Sequence, residues 1–210
     1  SKNNYNLSVN RYIFEDLNLS FIEKHNLVPL KELILQIPKK AIKPVENIKI
    51  IKIGDLANNT LETIKSFNDA GIKKPKYEVN LIEDNSLLLA TLWKSLKPTI
   101  YKKDKENIYY DSKQIFACKV DESKVDIEYL IYELNKDYIK KQLEQSSIGS
   151  NIYRISRNDL LEIQVVLPDY NTQEKRKYEF KESVILEHQK KIENLKKQLG
   201  IDVADENSFL

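Results

Sequence analysis

The chain has 210 residues, 41% of them hydrophobic and 31% charged, and 34 basic against 32 acidic side chains leave a formal net charge of +2. Such values suit one soluble globular domain with at most an appendage, and they exclude a polycation that binds nucleic acid by bulk charge. No run approaches the ~20 apolar residues of a membrane helix. The start SKNNYNLSVN lacks the basic and apolar regions of a signal peptide. The single cysteine, Cys118, cannot form an internal disulfide, so a reducing cytoplasm is the expected setting and a small buried hydrophobe its expected role. The chain contains no Met, even at position 1, which suggests a piece of a longer protein.

In chain order, residues 1–26 are polar and Asn-rich and read as a tail or linker that packs by Tyr12, Ile13 and Phe14. A short helix is predicted over 30–36, stopped by Pro38. VENIKIIKIGDL then alternates as a strand and ends at Gly54-Asp55. Residues 57–78 are loop-like, punctuated by Asn58-Asn59, Gly71 and Pro75. SLLLATLW (86–93) reads as a fully apolar strand, followed by three β-prone runs, KPTIYK, NIYYD and KQIFACKV. Short strands at such close spacing predict a mixed or antiparallel sheet rather than repeated βαβ units.

Asp126 opens a predicted helix whose apolar stripe is Ile127, Leu130, Ile131, Leu134, Tyr138, Ile139 and Leu143. A small-residue loop, 146–151, ends it. A strand (IYRI), a short helix capped by Ser156 and a second strand (IQVVL) stopped by Pro168 follow. Asn171 with Glu174 resembles a capping box, and no Gly or Pro interrupts the chain from there to Leu199. This helix would be roughly 40 Å long. Tyr178, Ile185, Ile192 and Leu199 fall seven apart, and His188 and Leu195 occupy the other seam position, which also holds Lys181. A narrow apolar seam on a charged helix predicts helix pairing, with Gly200 as the stop. The fold class is therefore α+β: a mixed or antiparallel sheet with flanking helices and a long C-terminal helix.

Catalytic motifs are missing. The four glycines, at 54, 71, 149 and 200, are too dispersed for a phosphate-cradling loop. The Phe-x-Gly-x-Gly and Asn-Pro-Pro-Tyr motifs of adenine methyltransferases and the Gly-x-Ser-x-Gly elbow of hydrolases are absent. His25, His188 and one Cys do not make a zinc cluster. Pro168-Asp169 followed by Glu179-Phe180-Lys181 mimics a nuclease signature. That chemistry needs acids converging on one metal, whereas Glu179 and Lys181 fall within the predicted helix, two residues apart and on different faces. No catalytic or metal-ligating residue is assigned.

Basic clusters are the features able to meet DNA. Lys94, Lys97, Lys102, Lys103 and Lys105 surround Asp104 beside Trp93 and Tyr101, and Lys73, Lys74 and Lys76 surround Pro75. On loops projecting from a sheet, such lysines can neutralise phosphates, while groups such as Ser95, Ser147 and Ser150 can face base edges. The competing interpretation is a solvated surface in a lysine-rich protein.

Residues 149–200, GSNIYRISRNDLLEIQVVLPDYNTQEKRKYEFKESVILEHQKKIENLKKQLG, resemble the end of a half-unit in the specificity subunits of type I restriction-modification systems. The match runs through Gly149-Ser150, the strand 152–155, Asp159 to Leu161, the strand 163–167, Leu167-Pro168, Gln173 and the helix to Leu199. ENIKIIKIGDL and EDNSLLLATLW are similar to the family's inner strands, so the resemblance covers about residues 27–200. The sequence departs from the family at Asp169-Tyr170-Asn171-Thr172, where a second Pro is usual, and at Trp93-Lys94-Ser95, where a Gly is common. NNYNLSVNRYIFED, through Asn6-Leu7, Asn10, Arg11 and Tyr12, resembles the C-terminal end of type I adenine methyltransferase subunits. Together these resemblances imply the C-terminal part of a fused methylation-specificity polypeptide.

The resemblance implies a tail at 1–26, a DNA target-recognition domain at 27–170, a spacer or dimerisation helix at 171–200 and a tail at 201–210. It implies sequence-specific binding of double-stranded DNA, no catalytic site and no cofactor in this chain, and S-adenosylmethionine in an associated methyltransferase. The long helix would pair with a second recognition domain or with its own copy. Two alternatives from the residues stay open: a helix-mediated assembly module that does not bind DNA, and a small nuclease.

Overall fold

The computed structural model describes residues 26–200 apart from 39, 44–45, 58–63, 66, 68–69, 93 and 147–153. The predicted roles of Tyr12, Ile13, Phe14, Trp93, Ser147 and Ser150 lie outside the described residues, as does the methyltransferase-like tail.

Strand β8 (Ser86–Ala90) organises the fold. Its sequence SLLLA shows no alternation, and all five residues are buried, the signature of a strand covered on both faces. It sits at the centre of a five-stranded sheet. β11 (Ile115–Val120) and then β2 (Ile34–Gln36) lie on one side; β9 (Thr99–Tyr101) and then β5 (Ile64–Lys65) lie on the other. All pairs are antiparallel except β5 with β9.

A second five-stranded sheet has the order β3 (Ala41–Ile42), β7 (Val79–Ile82), β10 (Ile108–Tyr110), β4 (Ile48–Ile51), β6 (Ile72–Lys73), with β4 and β10 parallel. The two-residue period splits the central strands between two cores. Leu88, Ala90, Ile115 and Ala117 pack with Ile51, Ile82, Ile108 and Tyr110 of the second sheet. Leu87, Leu89, Phe116 and Cys118 pack with the helices α1 (Ile127–Leu134), α2 (Asp137–Ser146) and α3 (Arg157–Glu162). A small sheet of β1 (Leu27–Pro29) and β12 (Gln164–Val166) closes the helical side, and α4 (Tyr170–Gln198) follows. The fold is α+β, with mixed sheets and a long C-terminal helix.

Several local expectations are corrected. Residues 30–36 form a single 3-10 turn, Leu30–Glu32, and then β2, whose pairing with Cys118, Lys119 and Val120 overrides the helix-like spacing. The predicted loop over 57–78 contributes β5 and β6, and the apolar strand over 86–93 ends at Ala90. Arg154 and Ile155 are not in a strand. The helix opened by Asp126, whose carboxylate accepts the Tyr129 amide at 2.9 Å, is two helices. Asn135 causes the break: its side-chain amide donates to the Ile131 carbonyl at 2.8 Å, taking the acceptor that its own backbone N–H would use.

The cap of α4 is Asp169, not Asn171. The Asp169 carboxylate accepts the Thr172 amide at 3.0 Å and the Thr172 hydroxyl at 2.7 Å, and Glu174 pairs with Lys177 at 2.5 Å. Gly200, at φ +67°, ends the helix and donates its N–H to the Lys197 carbonyl, a conformation that favours glycine.

The first half of α4 is bolted to α1. Buried Gln173 accepts the Asp126 amide and donates to the Pro168 carbonyl, each at 3.0 Å. Lys177 lies 3.0 Å from Asp126, and the Phe180 ring is 4.8 Å from that of Tyr132. Burial opposes the charge on Lys177, but Glu174 and Asp126 outweigh it and raise its pKa overall. Among the described residues Val184 is the last buried one, and α4 continues from Ile185 to Gln198 for roughly 20 Å with none buried.

Candidate nucleic-acid interface

The strand directions bring one edge of both sheets together. β4 and β10 are parallel, so their C-terminal ends coincide; β8 ends and β11 begins at that edge too. There the turn 111–114 joins β10 to β11. It is fastened to the end of β8, because the Thr91 amide donates to the Gln114 carbonyl at 2.8 Å and the Thr91 hydroxyl to the Lys113 carbonyl at 3.3 Å. Asp111 is buried and accepts from the Lys113 amide at 2.9 Å and from Gln114 Nε2 at 3.2 Å.

Two concavities flank this turn. One, of about 270 Å³, is lined on its polar side by Thr91, Ser112, Lys113, Arg154, Ser156 and Arg157. The other, of about 330 Å³, includes Lys52, Lys73, Tyr77, Asp111 and Gln114. Arg157 is held in place: its guanidinium donates to Gln36 Oε1 at 2.7 Å and lies 5.0 Å over the Phe116 ring.

The structure divides the predicted 94–105 cluster. Lys94, Ser95 and Lys97 belong to the tight loop after β8, closed by the Ala90 amide on the Leu96 carbonyl at 2.6 Å. Lys97 Nζ reaches the Ile53 carbonyl at 3.4 Å, beside the second concavity. Its φ of 45° is strained for a residue with a side chain, at roughly 1–2 kcal/mol. Lys102 and Lys103 lie beyond the far end of β9, at the opposite edge, where the Lys103 amide donates to Asn85 Oδ1 at 2.8 Å. Tyr101 is fully buried against Phe67 and does not face solvent. Lys73 pairs with Ile48, at the other end of β4, and lines the second concavity from there, whereas the exposed Lys74 and Lys76 line neither.

Sequence reasoning missed Lys52, Lys113, Arg154 and Arg157. A signal existed, because the chain has four arginines and two of them, Arg154 and Arg157, stand three apart.

On α4, Ile185, Ile192, Leu195, Leu199 and Tyr178 are exposed and His188 is half-buried. Lys181 instead turns to the domain and pairs with Glu128 at 2.6 Å. The nuclease-like residues do not converge: Asp169 caps the helix that carries Glu179 ten residues, or about 15 Å, further on. Burial pushes the Cys118 thiol well above its ordinary range, the opposite of an activated nucleophile. Among the described residues, no group of three or more His, Cys, Asp or Glu could hold a metal ion, and no helix is long and apolar enough to cross a membrane.

No protein-family model and no curated protein sequence matches the chain. Solved structures do. The HsdS subunit from Thermoanaerobacter tengcongensis superposes with a TM-score of 0.58 at 16% identity, over 82% of this chain and 45% of that one. A chain from the structural study of complex assembly and conformational transition of the type I R-M system gives a TM-score of 0.57 at 16% identity, over 83% and 45%. The chain thus spans a little less than half the length of each, and its fold is that of one portion of the HsdS subunit.

Proposed function

We propose that this chain is a DNA target-recognition module of a type I restriction-modification system. The observation that carries the reading is the convergence, at one sheet edge, of Lys52, Lys97, Lys113, Arg154 and Arg157 from separate stretches of sequence, with Lys73 lining the second concavity from β6. The fold likeness to HsdS supports the system to which it belongs. The edge approaches the major groove, where all four base pairs differ, and its cations fix position through phosphates. An associated methyltransferase in the cytoplasm supplies S-adenosylmethionine chemistry. Helix α4 meets a second recognition module or a second copy of the chain, which sets the spacing of half-sites.

The test contrasts the two halves of the divided lysine cluster. In fluorescence anisotropy on a labelled duplex, Lys94→Ala with Lys97→Ala is expected to weaken binding and to flatten the salt dependence by about 0.9 for each phosphate no longer neutralised. Lys102→Ala with Lys103→Ala, at the opposite edge, is expected to leave the slope unchanged. The reverse pattern would move the interface to the other edge. Absence of salt-dependent duplex binding would favour an assembly module that works through α4 alone.

A further expected result is that the purified chain neither methylates adenine nor cleaves DNA with any divalent metal. Radiolabelled methyl transfer from S-adenosylmethionine and plasmid nicking read these two activities, and a signal in either would return the chain to the enzymes.

A further inference from the structure

The two concavities and the turn between them have a geometry more specific than a basic patch. We infer that the turn 111–114 is a ridge set into a groove of duplex DNA, with one backbone phosphate seated in each flanking concavity. The inference rests on the DNA-binding reading above. Phosphates stand along the rims of a groove and base edges lie recessed at its floor. A concave cationic surface therefore fits a phosphate, and a convex ridge fits the groove between.

Both seats have matching chemistry. The first carries Lys113, Arg154 and Arg157, and among the described residues lining it none is acidic. Arg154 donates to the Lys113 carbonyl at 3.4 Å, so it is drawn to the base of the ridge. Arg157, fixed between Gln36 and Phe116, meets a ligand with little further ordering. The second seat carries Lys52 and Lys73. Among its described lining residues the one carboxylate, Asp111, is engaged by the Lys113 amide and the Gln114 side chain and serves to stiffen the ridge. The ridge itself presents Ser112 and Gln114, both partly exposed and rich in hydrogen-bonding groups. Its bonds to Thr91 tie it to the most deeply buried strand, so it enters the groove as a rigid body.

The experiment measures the salt slope of binding to a fluorescein-labelled mixed-sequence duplex for two paired variants of the chain, Lys113→Ala with Arg154→Ala and Lys52→Ala with Lys73→Ala. Each pair is expected to lower the slope by about 0.9 or more, and the combined variant by about the sum. Arg154→Lys, which keeps the charge, should hold the wild-type slope. Thermal melting checks the fold, and Gln in place of Ala repeats the measurement if an Ala pair melts early. A slope that responds to one pair alone overturns the straddled ridge. Slopes unchanged in both pairs, with wild-type binding intact, overturn both seats while leaving DNA recognition standing. Failure of the unsubstituted chain to bind the duplex at low salt overturns the inference and the reading beneath it together.

Discussion

On the pairing proposed for α4, changing Ile185, Ile192 and Leu195 to Gln is expected to shift the chain from dimer toward monomer without lowering its melting temperature. All three are more than half exposed, on a stretch of α4 with no buried residue. Fully burying one such side chain contributes about 1.5–3 kcal/mol, and half of that is available here because each is already partly covered. Six side chains in a two-fold pair then give about 5 kcal/mol or more, which corresponds to a drop of roughly 10³-fold or more in dimer affinity. Sedimentation velocity across a concentration series reads the change. A variant that melts much earlier than wild type would assign the seam to the domain core and remove the pairing role.

The second large effect is expected at Glu133. Its buried carboxylate accepts the Tyr138 hydroxyl at 2.7 Å, lies 3.0 Å from the Tyr129 hydroxyl and 3.8 Å from the Arg176 guanidinium. The Tyr138 oxygen in turn accepts the Val166 amide at 3.0 Å. One carboxylate thus joins α1, α2, β12 and α4. Burial, reinforced by the Glu133 charge, raises the phenol pKa values of Tyr129 and Tyr138, so both remain protonated donors. Glu133→Ala leaves the Tyr138 hydroxyl without its acceptor in the interior and the Tyr129 hydroxyl with the Val166 carbonyl alone as acceptor, at 3.0 Å. A broken buried network costs about 3 kcal/mol, after discounting the partly exposed Arg176. In a chain of this size that lowers Tm by roughly 6–12 °C in calorimetry. Glu133→Gln keeps an acceptor and should cost about a third as much. A Glu133→Ala chain that melts within about 2 °C of wild type would remove the network from the account of stability.

What could be read from the sequence divides along physical lines. Leu87, Leu88 and Leu89 in an unbroken apolar run specify a strand buried on both faces, and the heptad positions of α4 specify a helix without further context. Local hydrogen bonding was harder to read. Asn135 breaks a periodic stripe through its own side chain, and Asp169 wins the cap from Asn171 because its carboxylate reaches two groups of Thr172. Residues 30–36 carry helical spacing but are drawn into a sheet by a partner strand far along the chain, at Cys118 to Val120. The candidate interface was half legible. Proximity in sequence grouped Lys94 with Lys103, yet the strand between them sends the two to opposite edges. Arg154 and Arg157 reach the same edge as Lys52 only through the folded topology.

The attachment of α4 has a mechanical consequence. From its root at Gln173, Phe180 and Val184 the helix projects as a cantilever of roughly 20 Å. A tilt of about 10° at the root displaces the tip at Leu199 by about 3.5 Å, close to the roughly 3.4 Å rise between neighbouring bases of a strand. Anything docked at the tip therefore inherits its position to within one base step only if the root does not yield. The Gln173 amide, bonded on both sides, and the Lys177 ammonium among three carboxylates act as the clamp of a ruler. Softening that clamp would blur the position of the tip without touching either the basic sheet edge or the exposed apolar seam of the helix.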